Sequence, residues 1–169
     1  RTGADGSFTL TPTSSSYNLV GQTDATTINA ETGTVAEGIL LVAPFGASVI
    51  TPFTTLMVNG DLTTAQVLQV FGLPAGLDLL SYDPFSSDAN SAEALAVQIV
   101  ETQIMTIVKT FAAAAEGAGA SQAASFQVGM ISVAKVARAK AANNETISFS
   151  SDLDLVKIMT QAKEELNIL

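Results

Sequence analysis

The sequence predicts an α+β protein: a small antiparallel β section over about residues 5–50, followed by a bundle of about four helices. Three observations predict it. Residues 1 to about 58 are rich in Thr, Ser, Gly, Val and Ile with frequent turn residues, which is strand-and-turn composition. From about residue 52 the apolar residues recur at helical spacing. The 169 residues are 47% hydrophobic and 14% charged, which is enough apolar material for a sizeable core and too little charge for a disordered chain. The expected division is residues 1–58 as a β-rich section, incomplete by itself if its sheet needs a neighbour's strand, and residues 59–169 as a helical section.

Each element has its own signal. Asp5-Gly6 reads as a turn, and the alternation over residues 7–11 puts Phe8 and Leu10 on one face of a strand. Residues 17–20 read as a second short strand, residues 23–38 as an extended loop or hairpin, residues 38–42 as a third strand and residues 48–50 as a fourth. Pro44-Phe45-Gly46 turns the chain before that last strand. Pro52 suits the first position of a helix. Residues 54–58 then form a helical turn capped by Thr51 or Thr54, with Phe53 and Leu56 buried between sheet and helices.

The remaining helices are bounded by caps and breakers. Thr63 caps a helix over residues 64–71 whose Val67, Leu68 and Phe71 share a face, and Gly72 and Pro74 end it. Residues 73–88 form an irregular connector. Ser91 is a suitable N-cap for a helix over residues 92–116, with Glu93 in its first turn and a stripe of Leu95, Ile99, Ile104, Val108 and Phe111. Gly117 and Gly119 break it. A helix over residues 121–142 turns Phe126, Met130, Val133 and Val136 inward. Asn143-Asn144 is a turn, residues 146–149 a candidate strand, and Ser151 or Asp152 caps a last helix with Leu155, Ile158, Met159, Ala162 and Leu166 as its apolar positions. The Ala-rich tract from 112 to 124 suits close approach between helices.

Charge is segregated along the chain. Residues 2–108 carry ten acidic side chains and no Lys or Arg; apart from Arg1, the basic residues begin at Lys109. The formal net charge is −9, which disfavours nucleic acid and anionic membranes as partners. No uncharged apolar run reaches the 18 residues expected of a membrane span, and none is expected to insert. The chain lacks His and Cys, which removes His-containing triads, thiol nucleophiles, disulfides and His- or thiolate-ligated metals. A Ser-Lys pair stays open in principle. A carboxylate pair such as Asp78 and Asp83 would need a cleft between its members. No phosphate loop or dinucleotide fingerprint is present. The chain is therefore expected not to be an enzyme.

Oxygen ligands without competing local cations suit calcium. The candidate ligands are Asp5, Asp24 and Glu31 in the β section and Asp78 and Asp83 in the connector, with Glu37 and Asp88 nearby in sequence. Their spacing is not that of a calcium loop with Asp at alternate positions, and the turns at Asp5-Gly6 and Asp83-Pro84 explain two of them without a metal. Lys135, Arg138 and Lys140 gather near a helix C-terminus, which favours positive charge, and are expected to pair with acids of the β section, with binding of an anionic ligand as the alternative. Tyr17, Phe45, Phe53, Tyr82 and Phe85 are candidates for packing or for a sugar- or peptide-binding groove built from residues 21–38 and 73–88.

Three stretches carry a family resemblance. Asp5-Gly6-Ser7-Phe8-Thr9-Leu10 resembles the Asp-Gly-x-Phe strand entry of transthyretin-like β-sandwich modules in bacterial surface proteins. Ala43-Pro44-Phe45-Gly46-Ala47-Ser48-Val49-Ile50-Thr51-Pro52-Phe53-Thr54-Thr55-Leu56 resembles an Ala-Pro-x-Gly-Ala-x-Val-x-Thr-Pro-Leu-Thr-Thr-Leu stretch of very large secreted, adhesin-type, calcium-rich repeat proteins of marine bacteria. Leu73-Pro74 through Asp83-Pro84 resembles the segment that follows it there. Phe53 departs from the usual Leu. The resemblance spans about residues 5–88 and implies an extracellular or cell-surface location and an adhesive or spacer role, with no catalytic residues. Neighbouring domains or chains are the expected partners, joined through an open β edge. A glycan- or peptide-binding module and a subunit of a filament or larger complex are the alternatives.

Overall fold

The structure is a computed structural model and describes residues 2–4, 6–11, 14, 16–29 and 32–166. Its described residues form a two-stranded antiparallel sheet and five helices, so the fold is α+β. Strand β1 is Leu19–Gln22 and β2 is Leu40–Ala43. They pair in the register Leu19↔Ala43, Val20↔Val42, Gly21↔Leu41 and Gln22↔Leu40. A bond from Thr23 N–H to Ile39 O (2.9 Å) extends the pairing, and a bridge between Ile28 and Val35 makes the intervening segment hairpin-like.

Two consecutive capping boxes set the first helices. Helix α1, Pro52–Gly60, has Pro52 in its first turn and Thr51 as N-cap, with Thr51 and Thr54 each bonding the other's backbone N–H. It ends at Asp61 in the left-handed region (φ 49). Helix α2, Thr64–Phe71, repeats the device with Thr63 and Gln66, and Gly72 (φ 64) closes it without the steric penalty a side chain would meet there.

The long helices follow. Helix α3 is Ser91–Gly117, α4 is Gln122–Ala142 and α5 is Asp152–Leu166. Helix α4 is the centre of the molecule: α1, α2, α3, α5 and β2 all pack on it. It is lined with small residues, and two backbones come close to others through glycine. A Cβ on Gly129 would stand 3.0 Å from Val108 Cγ1 on α3, and a Cβ on Gly60 of α1 would stand 3.0 Å from the Ala134 carbonyl of α4. Ser125 and Ser132, both buried on α4, satisfy their hydroxyls by donating to Ser121 O (2.8 Å) and Val128 O (2.6 Å) one turn back. The core is one cluster that joins Phe53 and Leu56 to Val67, Val70, Ile104, Val108, Met130 and Val133.

Several expected elements differ. The sequence reading of about four helices treated residues 54–58 as a single turn; the Thr51 cap and the burial of Phe53 and Leu56 make it a full helix. Residues 6–11 belong to no strand, with Phe8 half-buried and Leu10 62% exposed. Residues 48–50 and 146–149 are also not strands, although Ile147 N–H bonds Val70 O and Phe149 stacks on Phe71. Asn90 rather than Ser91 caps α3, accepting from the N–H groups of Ala92 and Glu93. The buried stripe of α3 runs through Ala94, Val97, Ile104, Val108, Ala112 and Ala115. Leu95 and Ile99 are exposed instead, because α4 packs on the face of α3 that carries Val108. On α5, Met159 likewise faces solvent while Ile158 and Ala162 are buried.

Candidate functional site

The two edges of the sheet are chemically different. Strands in an antiparallel pair alternate between residues that bond their partner and residues whose N–H and C=O point outward. On β2 the outward groups belong to Leu40 and Val42, and helices satisfy them. Val42 N–H donates to Thr55 Oγ1 (2.8 Å), Val42 O accepts from the hydroxyls of Thr54 (3.0 Å) or Thr55 (3.1 Å), and Leu40 O accepts from Gln127 Nε2 (2.9 Å). The β2 edge is therefore closed by α1 and α4.

The same alternation fixes the other edge. Val42 spends its N–H on Thr55, so its opposite number Val20 does not bond β2, and the Val20 and Gln22 main-chain groups point away from the sheet. No element covers them among the described residues. The Val20 side chain is 59% exposed, while Leu19 is buried on the opposite face and Gly21 lies against Ile50. Thr54 was legible as a candidate cap, but neither Thr54 nor Thr55 as the closure of a strand edge. The signal is the placement of two polar residues, each 0% exposed, inside an apolar helical turn.

The calcium candidates fall in separate environments. Asp5 and Glu31 lie outside the described residues. Asp24 Oδ1 accepts from Thr26 N–H (2.8 Å) and Thr26 Oγ1 (2.6 Å). Asp78 accepts from Leu80 N–H (3.2 Å) and the Ser81 hydroxyl (2.6 Å), and Asp83 from Phe85 N–H (2.9 Å). Each of the three shapes its own turn. Among the described residues no group of three or more carboxylates stands close enough to hold a metal ion.

The basic residues pair with late acids rather than with the β section. Lys135 Nζ meets Glu165 Oε1 at 2.5 Å, and Arg138 reaches Asp61 at 3.7 Å between exposed side chains. Lys140 Nζ is shared by Asp154 (2.8 Å) and Glu145 (3.2 Å). Asp154 is 4% exposed. Desolvation works to raise its pKa, yet Lys140, the Ser148 N–H and Lys157 together hold it below the ordinary carboxylate value. Its Oδ1 faces Lys140 at 2.8 Å without hydrogen-bond alignment, so that contact is an ion pair in character. The Lys140 pKa is raised by Asp154 and Glu145, against desolvation. A Ser-x-x-Lys spacing, missed in the sequence reading, occurs at Ser132 and Lys135, but Ser132 is fully buried on its own helix and Lys135 is tied to Glu165.

Two polar groups in the junction of α1, α3 and the connector lack partners. Glu101 Oε1 on α3 and the Tyr82 hydroxyl on the connector are buried without a hydrogen bond. Burial pushes the Glu101 carboxyl up to about 7, Thr51 lowers it and Asp83 raises it further. Desolvation and then Glu93 raise the Tyr82 phenol. The aromatic candidates do not converge. Phe53 is buried and stands edge-on to Phe71, Tyr17 packs edge-on to an exposed Phe45 at 5.2 Å, and Phe85 is 66% exposed. A groove of about 400 Å³ opens between α4 and α5, lined mostly by polar and charged residues such as Lys140, Asn143, Lys157 and Gln161, with Val136, Ala139 and Val156 among them. Helix α3 is long and apolar enough to cross a membrane by length and composition alone; here it packs on α4.

In comparisons with known proteins, the chain matches no family model, no curated protein sequence and no solved structure.

Proposed function

We propose that the chain is a non-catalytic structural or adhesive module of a large exported bacterial surface protein, joined to its neighbours through the β1 edge. The observation that carries the reading is the asymmetry of the sheet. Thr54, Thr55 and Gln127 close one edge, and the outward groups of Val20 and Gln22 leave the other open for strand addition. The resemblance of residues 5–88 to secreted adhesin-type repeats supports the cell-surface setting. Acidic loops without local bases support calcium as a structural ion there. Nucleic acid and membrane insertion have no part in the reading.

Hydrogen exchange tests it. The Val20 and Gln22 amides should exchange quickly in the isolated chain and be protected in the parent surface protein. Equally fast exchange in both would remove the edge from the function. A ligand-binding alternative, at a different place from the expected groove of residues 21–38 and 73–88, rests on the α4–α5 groove. Screening glycans and peptides against the chain and a groove-filling Ala139→Leu variant tests it, and binding by neither dismisses it.

A further inference from the structure

We propose that the open edge of β1 accepts residues 8–11 of a second copy of this chain, so that copies join head to tail by strand addition. The proposal rests on the reading of β1 as the joining edge and adds the identity of the partner.

Acceptor and donor are both visible. The acceptor is the outward pair of Val20 and Gln22 groups, beside an exposed Val20 side chain. The donor is a stretch whose apolar-polar alternation is that of a strand: Phe8 and Leu10 on one face, Thr9 and Thr11 on the other. Yet it belongs to no strand in this fold, and Leu10 is left 62% exposed. Its own chain does not fold it back onto β1. The approach to β1 runs instead through a turn in which Ser16 N–H bonds Ser14 Oγ (3.2 Å), and then through Tyr17, whose ring is held against Phe45.

Composition permits this occupant. Strand β1, Leu19–Gln22, carries no charge. Residues 8–11 carry none either, so their pairing meets no like-charge repulsion across the new ladder. An added strand would bond Val20 and Gln22 and could lay Phe8 and Leu10 beside Leu19 and Ile50, widening the apolar layer on the inner face of the sheet. Donor and acceptor are different patches of one molecule, so the contact is heterologous and continues from copy to copy.

The test uses sedimentation of the 169-residue chain from micromolar to near-millimolar concentration, with two variants. Val20→Pro deletes an outward N–H that the β1–β2 pairing does not use, and proline is tolerated at such edge positions. Leu10→Asp charges the donor. The wild type should grow in mass with concentration, while each variant stays monomeric with its thermal midpoint unchanged. An equimolar mixture of the two should yield a heterodimer and nothing larger, because one variant keeps the donor and the other the acceptor. If Val20→Pro loses its melting transition, Gln22→Pro deletes the second outward N–H in its place. A monomeric wild type, assembly in either variant, or a mixture that stays monomeric overturns the proposal. A monomeric chain whose Val20 and Gln22 amides become protected in the parent protein would overturn this partner and leave the joining edge intact.

Discussion

Glu101 sits where α3 meets the α1 N-cap and the connector, with one carboxylate oxygen buried and unpartnered. Its pKa is raised from 4.5 to about 7, chiefly by desolvation. The folded chain therefore binds more protons than the unfolded chain between those two values. As far as this group is concerned, stability is highest below pH 4.5 and declines as pH rises toward 7. Glu101→Gln should abolish that decline and raise stability at pH 8 by about 1–2 kcal/mol, read from denaturant titrations across pH. A variant less stable than wild type at pH 8 would show that the charged carboxylate is accommodated. Lys140 and Asp154 have the opposite sense. The depressed Asp154 contributes stability above its unfolded value that is lost as pH falls through its lower folded value, and the raised Lys140 contributes below its unfolded value and loses it only in strong alkali. Lys140→Met leaves Asp154 buried beside a neutral chain and should cost about 3–5 kcal/mol. A loss within experimental error would mean that Lys157 and solvent suffice for Asp154.

Elements meet through a few specific devices. Thr55 ties the α1 helix to the β2 edge, and Thr55→Val preserves shape while leaving the Val42 N–H without its acceptor. The expected loss is about 1–3 kcal/mol, accompanied by faster exchange of the Val42 amide. A stable variant with that amide still protected would refute edge closure by Thr55. Gly129 permits the closest approach of α4 to α3. Gly129→Leu drives a side chain into Val108 and its backbone and should destabilise by roughly 3 kcal/mol, measured by thermal unfolding. A neutral result would show that the two helices separate without loss.

At the scale of the whole molecule, charge is divided between an acidic N-terminal two thirds and a C-terminal third that holds nearly all the bases. The described ion pairs lie within the last third or reach Asp61, and none of them includes the connector acids Asp78, Asp83 or Asp88. If calcium is their counter-ion, millimolar calcium after EDTA should raise the thermal midpoint and magnesium should not, because a cation that binds the native state stabilises it by linkage. An identical midpoint in calcium and EDTA would make these carboxylates a solvated surface.

The sequence alone determined what is local. Pro52, the Thr51 and Thr63 caps, Gly72, Ser121 and the Asn143-Asn144 turn set helix ends, because capping and positive-φ geometry depend on a few adjacent residues. The α+β order followed from composition and period for the same reason. Tertiary structure decided which face of an apolar helix is buried. Leu95 and Ile99 are as apolar as Ile104 and Val108, and only the position of α4 chooses between them. It also decided that residues 8–11, for all their alternation, join no strand among the described residues, that Lys140 meets Asp154 rather than an acid of the sheet, and that two threonines close one strand edge while no described element covers the other. Each of these is a contact between segments distant in sequence, and local propensity carries no information about which distant segment will be the neighbour.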